Sequence, residues 1–166
     1  MVEEKVAHID IGNQIDNSWN KDSALAIKIG KVGFSIKIRE QHKQKIKQKF
    51  IKVSEDHKIK RKNRRVAVII HSFMIFKLLE NYEDICDTVI ICGDMGPFTY
   101  LNKYYSKIYK YYSKRPNVKL KPRKPNGKSK AHRLANKVYR GNKSEDILIK
   151  TTHMENIIKM IETILE

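Results

Sequence analysis

The sequence predicts an α/β chain on a mixed sheet: an antiparallel three-strand meander continued by parallel strands, with helices on both faces. Three observations carry this expectation. Two alternating apolar runs, residues 24–29 and 32–38, flank a two-residue Gly30-Lys31 connection, the signature of a β-hairpin with a type II′ turn. Four consecutive apolar residues, Val89, Ile90, Ile91 and Cys92, stand between Asp87 and a Gly93-Asp94-Met95-Gly96-Pro97 break, as in a central strand buried on both faces. Segments of helical periodicity alternate with short extended ones on either side of that strand.

Taken in order, residues 6–11 place β-formers ahead of a Gly12-Asn13 break and read as the first strand, with Asp10 near its end. A polar loop containing Asp16 and Asp22 leads into the hairpin. Charge dominates residues 40–65, which read as an outward continuation of the third strand followed by a solvated basic connection. Residues 66–82 are too long for one strand and suit a buried helix, although residues 66–70 alone also fit a short strand. After the central strand, Pro97 suits the first position of a helix in which Leu101, Tyr105, Ile108 and Tyr112 share one face and Lys103, Lys107, Lys110 and Lys114 another. Residues 118–122 alternate like an edge strand that ends at Pro122. A further helix opens with Ser129 as N-cap, buries Ala131, Leu134, Ala135 and Val138, and stops at Gly141. Residues 146–149 read as a short strand. Thr152 and Glu155 have capping-box spacing ahead of Ile157, Ile158, Ile161, Ile164 and Leu165, the stripe of a last helix that covers the core or supplies a homodimer face. The expected division is a domain over residues 1–141 and a C-terminal extension over 142–166.

A chain of 166 residues is one domain by length and should bury roughly 70% of the surface its unfolded form exposes. Its 35 Lys and Arg against 18 Asp and Glu leave a net charge of +17, which points to a polyanionic partner. Nucleic acid is the leading candidate. A membrane partner is not expected, because no apolar run approaches the ~18 residues of a span. The N-terminal residues lack the pattern of a signal peptide. Cys86 and Cys92 have no metal-like spacing and read as reduced core thiols, so the expected location is cytoplasmic.

Asp94 is the foremost candidate for chemistry, because ligands of α/β sheets gather at the carboxyl ends of the strands. A turn aspartate capping the next helix is the alternative. The order of elements, with Ile9-Asp10-Ile11-Gly12, Val89-Ile90-Ile91-Cys92-Gly93-Asp94 and the stretch from Gly127 through His132 to Asn136, resembles the ribonuclease H-like fold over about residues 5–141. A weaker resemblance, through Ile9-Asp10 and Cys92-Gly93-Asp94 with Pro97-Phe98, is to PIN-like nucleases, which usually pass from the first strand into a helix rather than a hairpin. The ribonuclease H-like resemblance implies a nuclease acting on RNA or an RNA–DNA hybrid, with Mg²⁺ or Mn²⁺ held by clustered carboxylates. Carried onto this chain, it implies Asp10, Asp94 and His132 as catalytic residues, with Asp10, Asp94, Asp16 and Asp22 as metal ligands. Two departures stand out: His132 occupies a position where the family has an aspartate, and the family's early-helix glutamate has no counterpart. The alternative is a non-catalytic nucleic-acid-binding protein that keeps the fold without a complete metal site.

The basic surface has its own signal. Between Met95 and Ser144 there are 15 Lys or Arg and no acid. Lys103, Lys107, Lys110, Lys114, Arg115, Arg123, Lys124, Lys128, Lys130 and Arg133 are the expected phosphate contacts. Tyr100, Tyr104, Tyr109 and Tyr111 lie among them, read either as core residues or as stacking platforms for unpaired bases.

Overall fold

The structure, a computed structural model, describes residues 3–13, 15, 19–56, 62–82, 84, 86–92, 97–123 and 131–165. Strand β1 (Val6–Ile11) pairs antiparallel with β2 (Ser23–Ile29), and β2 pairs antiparallel with β3 (Val32–Ile38). Gly30 at φ 55° lets the chain reverse in two residues, and Ile29 stands opposite Val32. A positive φ at the first central residue and not at Lys31 is the type II′ pattern. On the other side of β1, β4 (Thr88–Ile91) and then β5 (Lys119–Pro122) add in parallel, and the short β6 (Ile147–Leu148) runs parallel to β3 at the far edge. The sheet order is β5-β4-β1-β2-β3-β6, a mixed α/β sheet as expected.

Alternation along the strands divides the sheet into unlike faces. On one face Ile9, Ile11, Leu25, Ile27, Ile36, Val89 and Ile91 are buried in the main core. Helices α1 (Glu40–Asp56), α2 (Lys62–Tyr82), α3 (Phe98–Tyr111) and α5 (Thr151–Leu165) contribute the rest of that core. Residues 66–70, which alone also fit a short strand, are helical and part of α2. Apolar on nearly every side from Val66 to Phe76, α2 is enclosed by its neighbours. Ser72 Oγ donates to the carbonyls of Val68 and Leu101, tying α2 to α3. Phe76 is wedged between Tyr112, stacked at 4.9 Å, and the edge of Tyr109, also at 4.9 Å. Met154, Ile157, Met160, Ile161 and Ile164 turn the apolar side of α5 into the same core, against α1 and α3.

Residues 40–56 correct the sequence expectation: they form α1 rather than an extended strand and a connection. Lys43, Ile46 and Phe50 are buried at helical spacing, which the density of lysines obscures in the sequence. Lys43 keeps its stem inside and donates from Nζ to Ser23 Oγ at 2.8 Å. No capping side chain precedes the helix, because the cap comes from elsewhere: Asp22 Oδ1 accepts the Glu40 N–H at 2.9 Å. The predicted N-cap Ser129 lies outside the described residues.

The other face of the sheet carries Asp10, Ala26, Gly33 and Ser35. Helix α4 (His132–Tyr139) lies across it over β1, β2 and β3. Small residues make this contact close: Ala26, Ala131 and Ala135 pack together with Leu134 at their side. A Cβ at Gly12 would stand 2.4 Å from the Ala135 carbonyl oxygen, so only glycine fits under the helix there. The expected stop at Gly141 closes α4: at φ 76° its N–H donates to the Val138 carbonyl, and the Asn142 N–H donates to that of Lys137. These are the two bonds of a Schellman motif. The chain then returns to the sheet, where Asp146 Oδ2 accepts the Ser35 N–H at 2.8 Å before β6 begins.

Gly12→Ala should destabilise the protein by roughly 1–3 kcal/mol, a fall in Tm of about 2–4 °C per kcal/mol at this length. Gly33→Ala should cost less, because the atom its Cβ would meet at 2.6 Å is the movable Leu134 Cδ2 methyl rather than a backbone carbonyl. Thermal melts of both variants check the ranking, and equal or reversed losses would refute this account of how α4 is seated.

Candidate active site and basic surface

Strands β1, β4 and β5 run in parallel, so their carboxyl ends share one edge of the sheet. Asp10 stands at the end of β1, Cys92 follows β4 with its N–H on the Ile9 carbonyl, and Arg123 follows β5 with its N–H on the Ile91 carbonyl. His132 opens α4 above them. The alternation that sends Ile9 and Ile11 into the main core turns Asp10 to the face that α4 covers.

The Asp10 carboxylate is 4% exposed, and a buried charge needs partners. Its Oδ1 accepts the Ile11 N–H at 2.8 Å. Its Oδ2 faces His132 Nδ1 at 3.4 Å and an Arg123 guanidinium nitrogen at 3.8 Å. The His132 side chain is 61% exposed, so the triad reaches from the protein interior to solvent. Asn136 Nδ2 stands 3.0 Å from His132 Nε2 and donates to it. With Nε2 accepting, a neutral imidazole carries its proton on Nδ1, the atom that faces Asp10.

Of the residues expected to be catalytic, Asp10 and His132 are therefore brought together. Asp94 and Asp16 lie outside the described residues. Asp22 is set apart. Asp10 is paired with Ala26, four residues along β2 from Asp22, a distance of about 13 Å at strand rise. The Asp22 carboxylate is engaged at the start of α1 and lies 3.7 Å from Lys37 Nζ. Among the described residues no group of three or more His, Cys, Asp and Glu side chains is placed to hold a metal ion. Asp10 and His132 offer one oxygen and one nitrogen, a pair that suits Mn²⁺ better than Mg²⁺. That pair fits a single ion completed by water and substrate phosphate oxygens, not a two-ion clamp. For His132 to be a ligand through Nδ1, its proton must move to Nε2 and the Asn136 amide must turn over.

The block of basic residues, continuous in sequence, is split in space. Lys103, Lys107 and Lys110 lie on α3, packed on the main-core side of the sheet, and Lys114 and Arg115 follow its C-terminus. Helix α3 leaves the carboxyl edge and spans about 21 Å, so its last basic residues stand far from Asp10. Two of the five are engaged internally. Lys107 Nζ donates to the Ile164 carbonyl at the end of α5, and burial, with Lys103 nearby, holds its pKa below the usual lysine value. Lys114 pairs with Glu80 at 2.8 Å. Burial would push the Glu80 carboxyl up, but hydrogen bonds from Lys114 and Lys77 and their charges bring it below the usual range. Arg123 and Arg133 belong to the Asp10 edge; Lys124, Lys128 and Lys130 lie outside the described residues.

Tyr104 and Tyr109 are buried, which removes them as stacking platforms, and Tyr111 is half-buried. Tyr100 is exposed, with the Arg65 guanidinium 5.0 Å from its ring centre. Cys86 and Cys92 are buried thiols, neither of them in a disulfide. Among the described residues no helix is long and apolar enough to cross a membrane.

Sequence reasoning passed over Asn136, whose hydrogen bond selects the His132 tautomer. Its only sequence signal is the i, i+4 spacing from His132 on a helix. The chain matches no family model, no curated protein and no solved structure with which it was compared.

The tautomer can be measured directly. Nitrogen-15 NMR of the histidine rings should find neutral His132 protonated at Nδ1, with that preference lost in Asn136→Ala. A wild-type ring protonated at Nε2 would contradict the arrangement.

Proposed function

We propose that this chain is a divalent-metal-dependent nuclease on a ribonuclease H-like fold, cleaving phosphodiester bonds in RNA or an RNA–DNA hybrid. The observation that carries the reading is the meeting of Asp10 and His132, distant in sequence, at the carboxyl edge of the parallel strands, with His132 Nδ1 3.4 Å from Asp10 Oδ2. The meander β1 to β3 with β4 and β5 in parallel beyond β1 supports the fold assignment. Two helices, α1 and α2, stand between β3 and β4, where the resemblance expects one.

The roles follow from the geometry. Asp10, fixed by its Ile11 hydrogen bond, holds Oδ2 between two cationic or proton-bearing groups, of which His132 reaches solvent. Arg123 lies at 3.8 Å from that oxygen, a loose pair, and a phosphodiester offers its guanidinium a closer, two-point partner. Arrival of the substrate backbone thus draws Arg123 off Asp10 and leaves the carboxylate free. As the imidazolium, with a proton on each nitrogen, His132 is placed to give the Nε2 proton to a leaving oxygen from a ring mostly in solvent, returning to the neutral ring with its proton on Nδ1 towards Asp10. An ion held by Asp10 would supply the acidified water and charge stabilisation that hydrolysis needs.

One observation favours a second reading. Arg123 beside Asp10 neutralises the carboxylate, as in a nucleic-acid-binding protein that keeps the fold and not the chemistry.

Labelled RNA, DNA and RNA–DNA hybrid, incubated with Mg²⁺ or Mn²⁺, distinguish the two. The nuclease reading expects ion-dependent cleavage that Asp10→Asn abolishes and His132→Ala slows by about 10²–10⁴-fold, the usual contribution of a positioned acid or base. Salt-sensitive binding without cleavage of any substrate would remove the nuclease and leave the binding protein.

A further inference from the structure

We propose that the outer face of α4 is a seat for the phosphodiester backbone of one nucleic acid strand, an inference that rests on the nucleic-acid reading above and extends it to a named surface. Arg133, Lys137 and Arg140 recur at i, i+4 and i+7, the spacing of one helix face, and all three are exposed. They span about 10.5 Å along the axis, and a strand presents one phosphate per ~3.4 Å of axis, so three cations meet about three phosphates. With Asn136 and Asn142 they line a cleft of about 230 Å³. Cations beside amide donors are the usual equipment for phosphate oxygens.

Three features make this more than a solvated helix face. None of the three cations forms an ion pair with an acid among the described residues, whereas Lys107 on α3 and Lys114 just beyond its end are engaged internally. The helix is held rigidly: its inner side is seated on Gly12 and Ala26, and its end is closed by the Schellman bonds of Gly141 and Asn142. The row also leads to the reaction centre, because Asn136, in the wall of the cleft, hydrogen-bonds His132. A strand lying along α4 therefore passes over Asp10 at one end.

The same features select the partner. An anionic membrane is recognised by helices that bury an apolar side in the lipid, and the apolar residues of α4, Ala135 and Val138, are buried against the sheet instead. Among the described residues, no aromatic side chain on which a base could stack lines the cleft. Contacts confined to phosphates position a strand without reading its sequence, so the seat binds independently of base order.

The test is binding of a fluorescent RNA–DNA hybrid by the full chain in EDTA, where cleavage is prevented, between about 50 and 200 mM salt. The wild type is compared with Lys137→Ala/Arg140→Ala and with the charge-preserving Lys137→Arg/Arg140→Lys. Each phosphate contact contributes about 0.9 to the slope of log K against log salt, so the alanine pair should flatten it by roughly 1.8 and the charge-preserving pair should keep it. Retention of the charge-preserving slope separates lost charge from lost fold. An unchanged slope and affinity in the alanine pair overturns the seat, whatever the cleavage assay shows. A flattened slope in a protein that cleaves nothing supports the seat and removes only the nuclease. Absence of salt-dependent hybrid binding by the wild type, or binding to phosphatidylserine vesicles in its place, overturns both.

Discussion

The approach of α4 to the sheet, with the Ala135 carbonyl over the bare backbone of Gly12, sets the depth at which His132 is held over Asp10. A side chain at Gly12 would lift the helix, and lifting the helix would take His132 away from Asp10. The alanines at 26, 131 and 135 serve the same purpose, exchanging buried volume for proximity. The cost is a thin layer on this side of the sheet. Stability comes instead from the opposite face, where the other four helices enclose the apolar side chains.

This division of labour explains why a carboxylate is tolerated at Asp10. The strand that delivers it is anchored by Ile9 and Ile11 in the main core, so Asp10 is displayed by a rigid backbone. Its charge is answered on one oxygen by the Ile11 N–H and on the other by His132 and Arg123. The second set is the looser, with neither group at close hydrogen-bonding distance. A phosphate or a cation arriving from solvent competes with these two contacts and not with those that hold the strand. Packing energy and site chemistry are therefore kept on opposite faces of one sheet.

Much of the fold was legible because it depends on local pattern. The Gly30-Lys31 reversal, the alternation of the hairpin, the unbroken apolar run of β4 and the Gly141 stop each act within a few residues. Helix α1 was not legible, because its capping group, Asp22, lies before β2 and its buried face includes the stem of Lys43. The same remoteness kept the contact of Asp22 with the start of α1 out of view: a candidate ligand by resemblance, it is a helix partner by position. Charge gave a similar lesson. The acid-free block from Met95 to Ser144 is one stretch of chain, but the turn from α3 into β5 and the crossing of α4 send its two ends to different faces. The pairing of Asp10 with His132 was expected from resemblance alone; the hydrogen bond from Asn136 that orients the ring is a property of the folded helix.

The account rests on Asp10 and His132 forming one centre that a divalent ion can share with a phosphate. Titration of the nitrogen-15-labelled chain with Mn²⁺ in the presence of a short, uncleavable hybrid tests that most directly. Paramagnetic broadening should begin at Ile9, Asp10, Ile11 and the His132 ring, and should be lost in Asp10→Asn. Broadening centred elsewhere, or unchanged by Asp10→Asn, would contradict the account.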